Sequence, residues 1–141
     1  MKSTLELHRL AEAEGIPVIR FSLPENGSLS IQDGQGQCYI GMDELETEAQ
    51  RKVHLAHELG HCLTGSFYNR YAPRDLRQRH EHRADKWAIG ALISPGELDE
   101  AVAMGYTDLW ALAEHFGVTE AFMRKTVCWY THGNLSAELY F

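Results

Sequence analysis

The sequence predicts an α+β fold in which a small three-stranded sheet is followed by a series of helices. Between residues 18 and 42, short apolar stretches alternate with Pro, Asn, Asp and Gly, which is typical of strands joined by turns. A long proline-free segment follows, and the remaining third repeats helix caps and glycine stops. The 141 residues, 44% of them hydrophobic, suit one domain with its own core, and we treat residues 1–141 as that domain.

The N-terminal half predicts one helix, the sheet and a second, longer helix. Apolar residues at near-helical spacing over 3–14, ending at Gly15, indicate an amphipathic helix. The next segment predicts a helix from Asp43 to about residue 63, because it has an acidic first turn and a glycine just beyond its end. Between the two helices we expect an antiparallel sheet with turns at 24–27 and 33–36 and strands at 18–23, 29–31 and 38–42.

The C-terminal half is predicted to be helical after one loop. Residues 65–78 are polar, aromatic and interrupted by Pro73, so we expect a surface loop there. Helices are then expected over 79–92, 95–104, 107–116 and 119–131, with the last two forming a pair (106–131) packed on the domain.

Charge and cysteine content narrow the function classes. The formal net charge is −7, which argues against a broad phosphate-binding surface, so no nucleic-acid partner is expected. The sequence contains no signal-peptide pattern and no apolar stretch long enough for a membrane span, so we expect a cytoplasmic protein without a membrane partner. Cys38, Cys62 and Cys128 have no CxxC spacing, and we expect them to be reduced thiols.

The strongest chemical signal is an HExxH motif in the second helix. His57 and His61 are four residues apart, so their imidazoles lie on one helical face and can bind one metal ion. Glu58 can lie beside the metal without ligating it and take a proton from a water that the metal activates. The motif therefore predicts two metal ligands and a general base.

The next helix supplies two further carboxylates on one face. Glu81, twenty residues after His61, completes the two-histidine, one-glutamate ligand set of catalytic zinc sites. Asp85 can accept the remaining ring N–H of a ligating histidine, which we expect to be that of His57. The predicted cofactor is one Zn²⁺ per chain.

Several nearby polar residues have less definite predicted roles. His54 shares the metal-facing side of its helix and is expected to form hydrogen bonds in the cleft. His80 and His82 flank Glu81, but a rotation of about 100° per residue turns them away from its direction. Candidates for stabilising the oxyanion or contacting substrate are His82, Tyr68 and Tyr71, which the sequence does not rank.

Two segments, VHLAHELGHCLTGSFYN and EHRADKWAIGALISP, resemble the ImmA/IrrE family of zinc metallopeptidases, particularly its small phage-associated and mobile-element members. The resemblance spans most of the chain. It implies zinc at His57, His61 and Glu81 with Glu58 as base, and a zincin-like fold with the HExxH helix and a C-terminal helical bundle. It also implies a protein substrate, a helix-turn-helix repressor whose cleavage relieves repression.

The predicted function is therefore a zinc endopeptidase acting on a transcriptional repressor of a prophage or mobile element. The alternative is a non-catalytic zinc-containing protein that inactivates a transcription factor by binding; the presence of Glu58 favours catalysis, because a structural site needs no such base. Residues 107–131 also resemble a helix-turn-helix, but residues 107–141 carry two basic and four acidic side chains. We expect a core-forming helical pair that holds the partner protein.

Overall fold

A computed structural model describes residues 1–23, 27–69 and 71–135. Most of the turn predicted at 24–27 lies outside these residues. The described elements follow the predicted order of a helix, three strands and five helices. In chain order they are α1 (Thr4–Ala13), β1 (Val18–Phe21), β2 (Ser28–Gln32), β3 (Cys38–Asp43), α2 (Glu48–Thr64), α3 (Arg74–Leu92), α4 (Pro95–Ala103), α5 (Leu109–Phe116) and α6 (Glu120–His132).

The sheet is mixed, so the predicted antiparallel arrangement is wrong. Its strand order is β1-β3-β2, and β3 pairs antiparallel with β2 but parallel with β1. The Asp33 carboxylate accepts hydrogen bonds from the backbone N–H groups of Gln35 and Gln37, which closes the β2–β3 hairpin. Because the hairpin occupies one side of β3, β1 pairs along its other side, and β2 is left at an edge.

The β2 strand has an inverted polarity pattern. Ser28 and Ser30 pair with Met42 and Ile40, which are buried, so the serine side chains share the inner face of the sheet. Ile31, which alternates with them, is 58% exposed on the outer face. Binary patterning predicts the reverse, with the apolar residues inside. The inversion brings two hydroxyls toward α2.

The HExxH helix, α2, is shorter than predicted at its N-terminus. Thr47 and Gln50 form a capping box there, while Asp43 still belongs to β3. The C-terminus lies at Gly65, whose φ of +66° is left-handed and whose N–H donates to the carbonyl of His61. Both ends of the helix are thus closed by local hydrogen bonds.

The following loop is also shorter than predicted. Helix α3 starts at Arg74, directly after Pro73, and not at Arg79. Proline has a fixed φ suited to a helix start, so it begins the helix where the sequence prediction took it as an interruption of a loop. The connection between α2 and α3 therefore spans only 65–73.

Helices α2 and α3 pack closely because Gly60 has no side chain. A Cβ built at Gly60 would lie 2.6 Å from the carbonyl oxygen of Ala84 and 3.0 Å from its Cα. No L-residue with a side chain fits this spacing without a shift of one helix. The glycine inside the HExxH motif therefore controls how near α3 comes to the two histidines.

The expectation of three reduced thiols is wrong for two of them. Cys38 of β3 and Cys62 of α2 form a disulfide with a Cα–Cα distance of 5.9 Å, while Cys128 is buried outside it. Packing of β3 against α2 brings the two residues together across 24 positions of sequence. No local spacing indicates this pairing.

The C-terminal helices belong to the same core as the sheet and α2. Phe116 of α5 and Met123 of α6 are buried in the cluster that also holds Ile40 and Leu55. The buried Lys52 of α2 donates a hydrogen bond to the Phe116 carbonyl at 2.6 Å, which ties α2 to the end of α5. Within the described residues, no helix is both long enough and apolar enough to be a membrane span.

Candidate metal centre and active-site cleft

His57, His61 and Glu81 converge at one point between α2 and α3. The His61 Nε2 atom lies 2.9 Å from Glu81 Oε2, and His57 Nε2 lies 3.2 Å from Glu81 Oε1. The two Nε2 atoms are 3.2 Å apart, and the possible ligand atoms of the three residues all lie within 4.8 Å of one another. Two imidazole nitrogens and one carboxylate form the donor set of catalytic zinc sites, so the residues present fit a zinc ion.

Both histidines use their Nδ1 atoms for other hydrogen bonds. His57 Nδ1 lies 2.8 Å from Asp85 Oδ1, and His61 Nδ1 lies 2.5 Å from the Ser66 backbone carbonyl. A carboxylate and a carbonyl only accept, so each Nδ1 must donate a proton. These bonds orient the rings and direct each Nε2 toward Glu81, as expected of partners that support metal ligands.

Electrostatics reflect this close grouping. Burial lowers the pKa of His57, but hydrogen bonds to Asp85 and Glu81 outweigh it and raise that pKa to about 10. For Glu81, burial raises the pKa, yet hydrogen bonds from His57 and His61 bring it well below its usual range. The pKa of Asp85 is also lowered: the His57 hydrogen bond and the Lys125 charge outweigh the effect of burial. The pocket is thus organised to hold positive charge.

Glu58 lies one residue from the first ligand but is held by the sheet. It is 6% exposed, and its carboxylate accepts hydrogen bonds from Ser28 and Ser30 of β2, both at 2.7 Å. Among the described residues, its carboxylate has no hydrogen bond to His57, His61 or Glu81. Glu58 therefore lies beside the three candidate ligands and is not a member of their group.

These residues lie in an open cleft of about 610 Å³. Residues of β2, α2, α3, the 65–73 loop and the start of α6 line it. The lining includes Ser28, Leu29, Ser30, Val53, His54, Ser66, Phe67, Tyr68, Thr119, Ala121, Phe122 and Lys125, together with Glu58, Asp85 and the three candidate ligands.

The other predicted contacts separate into two groups. His54 and Tyr68 line the cleft, and the Tyr68 pKa is raised by burial and by the negative charge of Glu81. His54 hydrogen-bonds through Nδ1 to the Glu46 carboxylate and is not part of the ligand group. Tyr71 is 79% exposed and does not line the cleft.

The two histidines that flank Glu81 also lie outside the ligand group. His82 is exposed and lines a separate cavity near Trp129 and Leu135. His80 lies beside Tyr68, with ring centroids 6.0 Å apart. The helical rotation predicted from the sequence accounts for both orientations.

Sequence reasoning missed the groups that hold the site from other elements. They are Ser28 and Ser30 of β2, the Ser66 carbonyl and Lys125 of α6, whose ammonium donates to Asp85 Oδ2 at 3.1 Å. A polar residue facing inward on a strand is a usable signal only after the strand register is known. Lys125 and Asp85 are 40 residues apart, and no periodic pattern connects them.

Comparison with protein-family models gives a match over most of the chain. The family model of the IrrE N-terminal-like domain, Peptidase M78, matches residues 11–127. The matched span contains the sheet, the candidate ligands and Glu58. No curated protein gives a significant match to the chain. The match covers well over half of the sequence, and the chain therefore belongs to the Peptidase M78 family of IrrE N-terminal-like metallopeptidase domains.

Proposed function

We propose that this protein is a zinc-dependent endopeptidase that cleaves a helix-turn-helix repressor of a prophage or mobile element. The observation that carries the zinc and peptidase part is the convergence of His57 Nε2 and His61 Nε2 on Glu81, with Glu58 in the same open cleft. A zinc ion held by these three residues would polarise a peptide carbonyl and lower the pKa of a water molecule. The repressor substrate is supported by the family resemblance.

In this proposal Glu58 moves the proton. Its carboxylate accepts a proton from the attacking water and returns it to the nitrogen of the leaving amine. Tyr68 is our candidate for donating a hydrogen bond to the carbonyl oxygen as negative charge develops, because it is the one of the two predicted tyrosines that lines the cleft. Asp85 and the Ser66 carbonyl hold the imidazoles in the orientation that binding requires.

Strand β2 offers the site where an extended substrate would bind. The Asp43 N–H donates to the Gly27 carbonyl at 2.8 Å, and bonded pairs alternate along an antiparallel ladder. The backbone groups of Ser28 and Ser30 therefore point away from β3, toward the free edge along the cleft. A peptide could add there as a further strand, with Phe67 and Tyr68 contributing to side-chain specificity.

The charge of the protein supports a basic, DNA-binding protein as substrate. The net charge of −7 favours association with a basic partner. The proposal also places the reaction in the cytoplasm, where disulfides are rare, so the oxidation state of Cys38 and Cys62 in the cell bears directly on it. Alkylation of the protein in freshly lysed cells, followed by mass spectrometry, measures that state.

The deciding experiment compares wild type with three variants. Zinc content is measured for wild type, His57→Ala, Glu81→Ala and Glu58→Gln, and each protein is then incubated with the helix-turn-helix repressor encoded beside its gene. We expect about one zinc per chain in wild type and Glu58→Gln, loss of zinc in the two ligand variants, and repressor cleavage by wild type alone.

Other outcomes would point to a different function. If Glu58→Gln inactivates the repressor as well as wild type without cleaving it, the protein acts by binding and the zinc is structural. If wild type purifies without zinc and takes none up, the metal centre itself is refuted.

A further inference from the structure

The Glu58 carboxylate has both of its oxygens occupied by side chains from the sheet. Ser28 Oγ donates to Oε2 and Ser30 Oγ donates to Oε1, each at 2.7 Å. Two donors on opposite oxygens fix the rotation of a carboxylate as well as its position. Because Glu58 is only 6% exposed, water competes weakly for these bonds.

This arrangement accounts for the inverted polarity of β2. A serine on the inner face of a strand that packs against a helix buries less apolar surface than an apolar residue would at the same position. Strand β2 has two such serines. The apolar Ile31 is meanwhile left 58% exposed. Such a pattern costs stability unless the inner hydroxyls have a polar partner, and Glu58 is that partner.

We propose that Ser28 and Ser30 are positioning residues for Glu58, which together aim its carboxylate at the reacting water. The proposal deepens the peptidase function and rests on it for the role of Glu58. The serines keep their own protons: the transferred proton leaves the water, is held by Glu58 and passes to the amine nitrogen. Their hydroxyls only fix where the carboxylate receives it.

The same two residues also meet the substrate in this arrangement. Their side chains point inward to Glu58, and their backbone groups point to the free edge of β2, where an extended peptide would pair. Ser28 and Ser30 would therefore fix both the position of Glu58 and the register of a substrate strand added at this edge. Displacement of a catalytic group by about 1 Å can cost about 100-fold in rate, so this shared framework matters for turnover.

The first test is a stability cycle that needs no activity. Thermal unfolding is measured at pH 7 for wild type, Ser28→Ala/Ser30→Ala, Glu58→Gln and the triple variant. We expect the serine substitutions to lower the midpoint about twice as much with Glu58 present as in the Glu58→Gln background, because charge-assisted hydrogen bonds are roughly twice as strong as neutral ones. Equal losses in the two backgrounds would overturn the proposal.

The second test separates positioning from folding. The kcat and KM of zinc-loaded proteins are measured on fluorescein-labelled casein at pH 7, with Ser28→Thr/Ser30→Thr as the conservative variant and Gln32→Ala, on the same strand, as the control. We expect Ser28→Ala/Ser30→Ala to lose about 10- to 100-fold in kcat with KM nearly unchanged, because the base is displaced while the edge of β2 that would pair with substrate is kept. The threonine variant should recover most of the activity.

The outcomes distinguish this proposal from the peptidase function. If wild type cleaves casein and the double alanine variant has the same kcat, the serines do not position Glu58 and the proposal is refuted. If wild type cleaves neither casein nor the repressor, the peptidase function fails, and the stability cycle alone then decides whether the serines hold Glu58.

Discussion

Replacing Asp85 with Asn tests whether the hydrogen bond that orients His57 controls metal binding. Asp85 is 7% exposed and connects two elements: Oδ1 accepts from His57 Nδ1 at 2.8 Å, and Oδ2 accepts from Lys125 Nζ at 3.1 Å. Asparagine keeps the size and shape of the side chain but removes the charge. Its amide N–H₂ group would face either His57 or Lys125, and both of these are donors. At most one of the two hydrogen bonds therefore survives.

The expected loss is large enough to measure directly. Partners of ligating histidines typically contribute about 10- to 100-fold in metal affinity, which is about 1.4–2.8 kcal/mol. We expect Asp85→Asn to weaken zinc binding by this factor, because the His57 ring loses a charged acceptor that fixes its tautomer. Zinc affinity is measured by competition with a chromophoric chelator at pH 7.

The matched control is Asp75→Asn, which removes one negative charge from the first turn of the same helix. It should leave zinc affinity within about twofold, because Asp75 makes no contact with the ligand group in the described residues. Equal zinc affinities for wild type and Asp85→Asn would refute the reasoning. Equal losses in the two variants would show that overall charge, rather than the His57 contact, controls binding.

Three further perturbations follow from the packing and the charges. Gly60→Ala places a Cβ 2.6 Å from the Ala84 carbonyl, so we expect about 1–3 kcal/mol less stability in urea unfolding and weaker zinc binding as α3 moves away. Lys52→Met removes the hydrogen bond to Phe116 at the end of α5, and we expect a loss of about 1–2 kcal/mol in the same assay. His57 has a folded-state pKa of about 10 in the metal-free protein, above its ordinary 6.5. The stabilisation that protonated His57 gives to the folded state is complete below pH 6.5 and is lost as pH rises toward 10. The calorimetric midpoint of the metal-free protein should therefore fall over this range.

Each of these has its own control. The control for Gly60→Ala is Gly90→Ala in α3, whose added Cβ meets no atom within 4 Å and should stabilise the protein by up to about 1 kcal/mol. A similar gain from Gly60→Ala would contradict the packing argument. An unchanged urea midpoint in Lys52→Met would mean that the Phe116 bond contributes nothing. In His57→Gln the fall with pH should be smaller, and an identical pH slope in that variant would exclude His57 as its source.

Much of the metal centre could be predicted because its geometry is local. The four-residue spacing of His57 and His61 places both rings on one face of any α-helix, whatever packs against it. The same periodicity places Glu81 and Asp85 together on α3. Glycine and capping residues likewise predicted the ends of α4 and α6 to within a residue or so, since caps act through hydrogen bonds between near neighbours.

The errors of the sequence prediction have two sources: a residue that suits two kinds of structure, and the pairing of strands. Pro73 lies inside the loop predicted over 65–78 but is the N-cap of α3 in the structure, because a fixed φ suits both a turn and the start of a helix. The strands of the sheet were located, but their pairing was not. Nothing in the sequence of a strand states which neighbour it pairs with or in which direction.

By itself the sequence determined the chemistry available to this protein: two imidazoles on one turn of helix, one carboxylate beside them and a pair of carboxylates on the next helix. Only the tertiary structure decided which other groups complete that chemistry. Ser28 and Ser30, whose hydroxyls bind Glu58, lie 30 and 28 residues before it in the sequence, and Lys125 lies 40 residues from Asp85. The physical reason is range: helical periodicity and capping act over a few residues, whereas these contacts depend on strand register and on how closely whole helices pack.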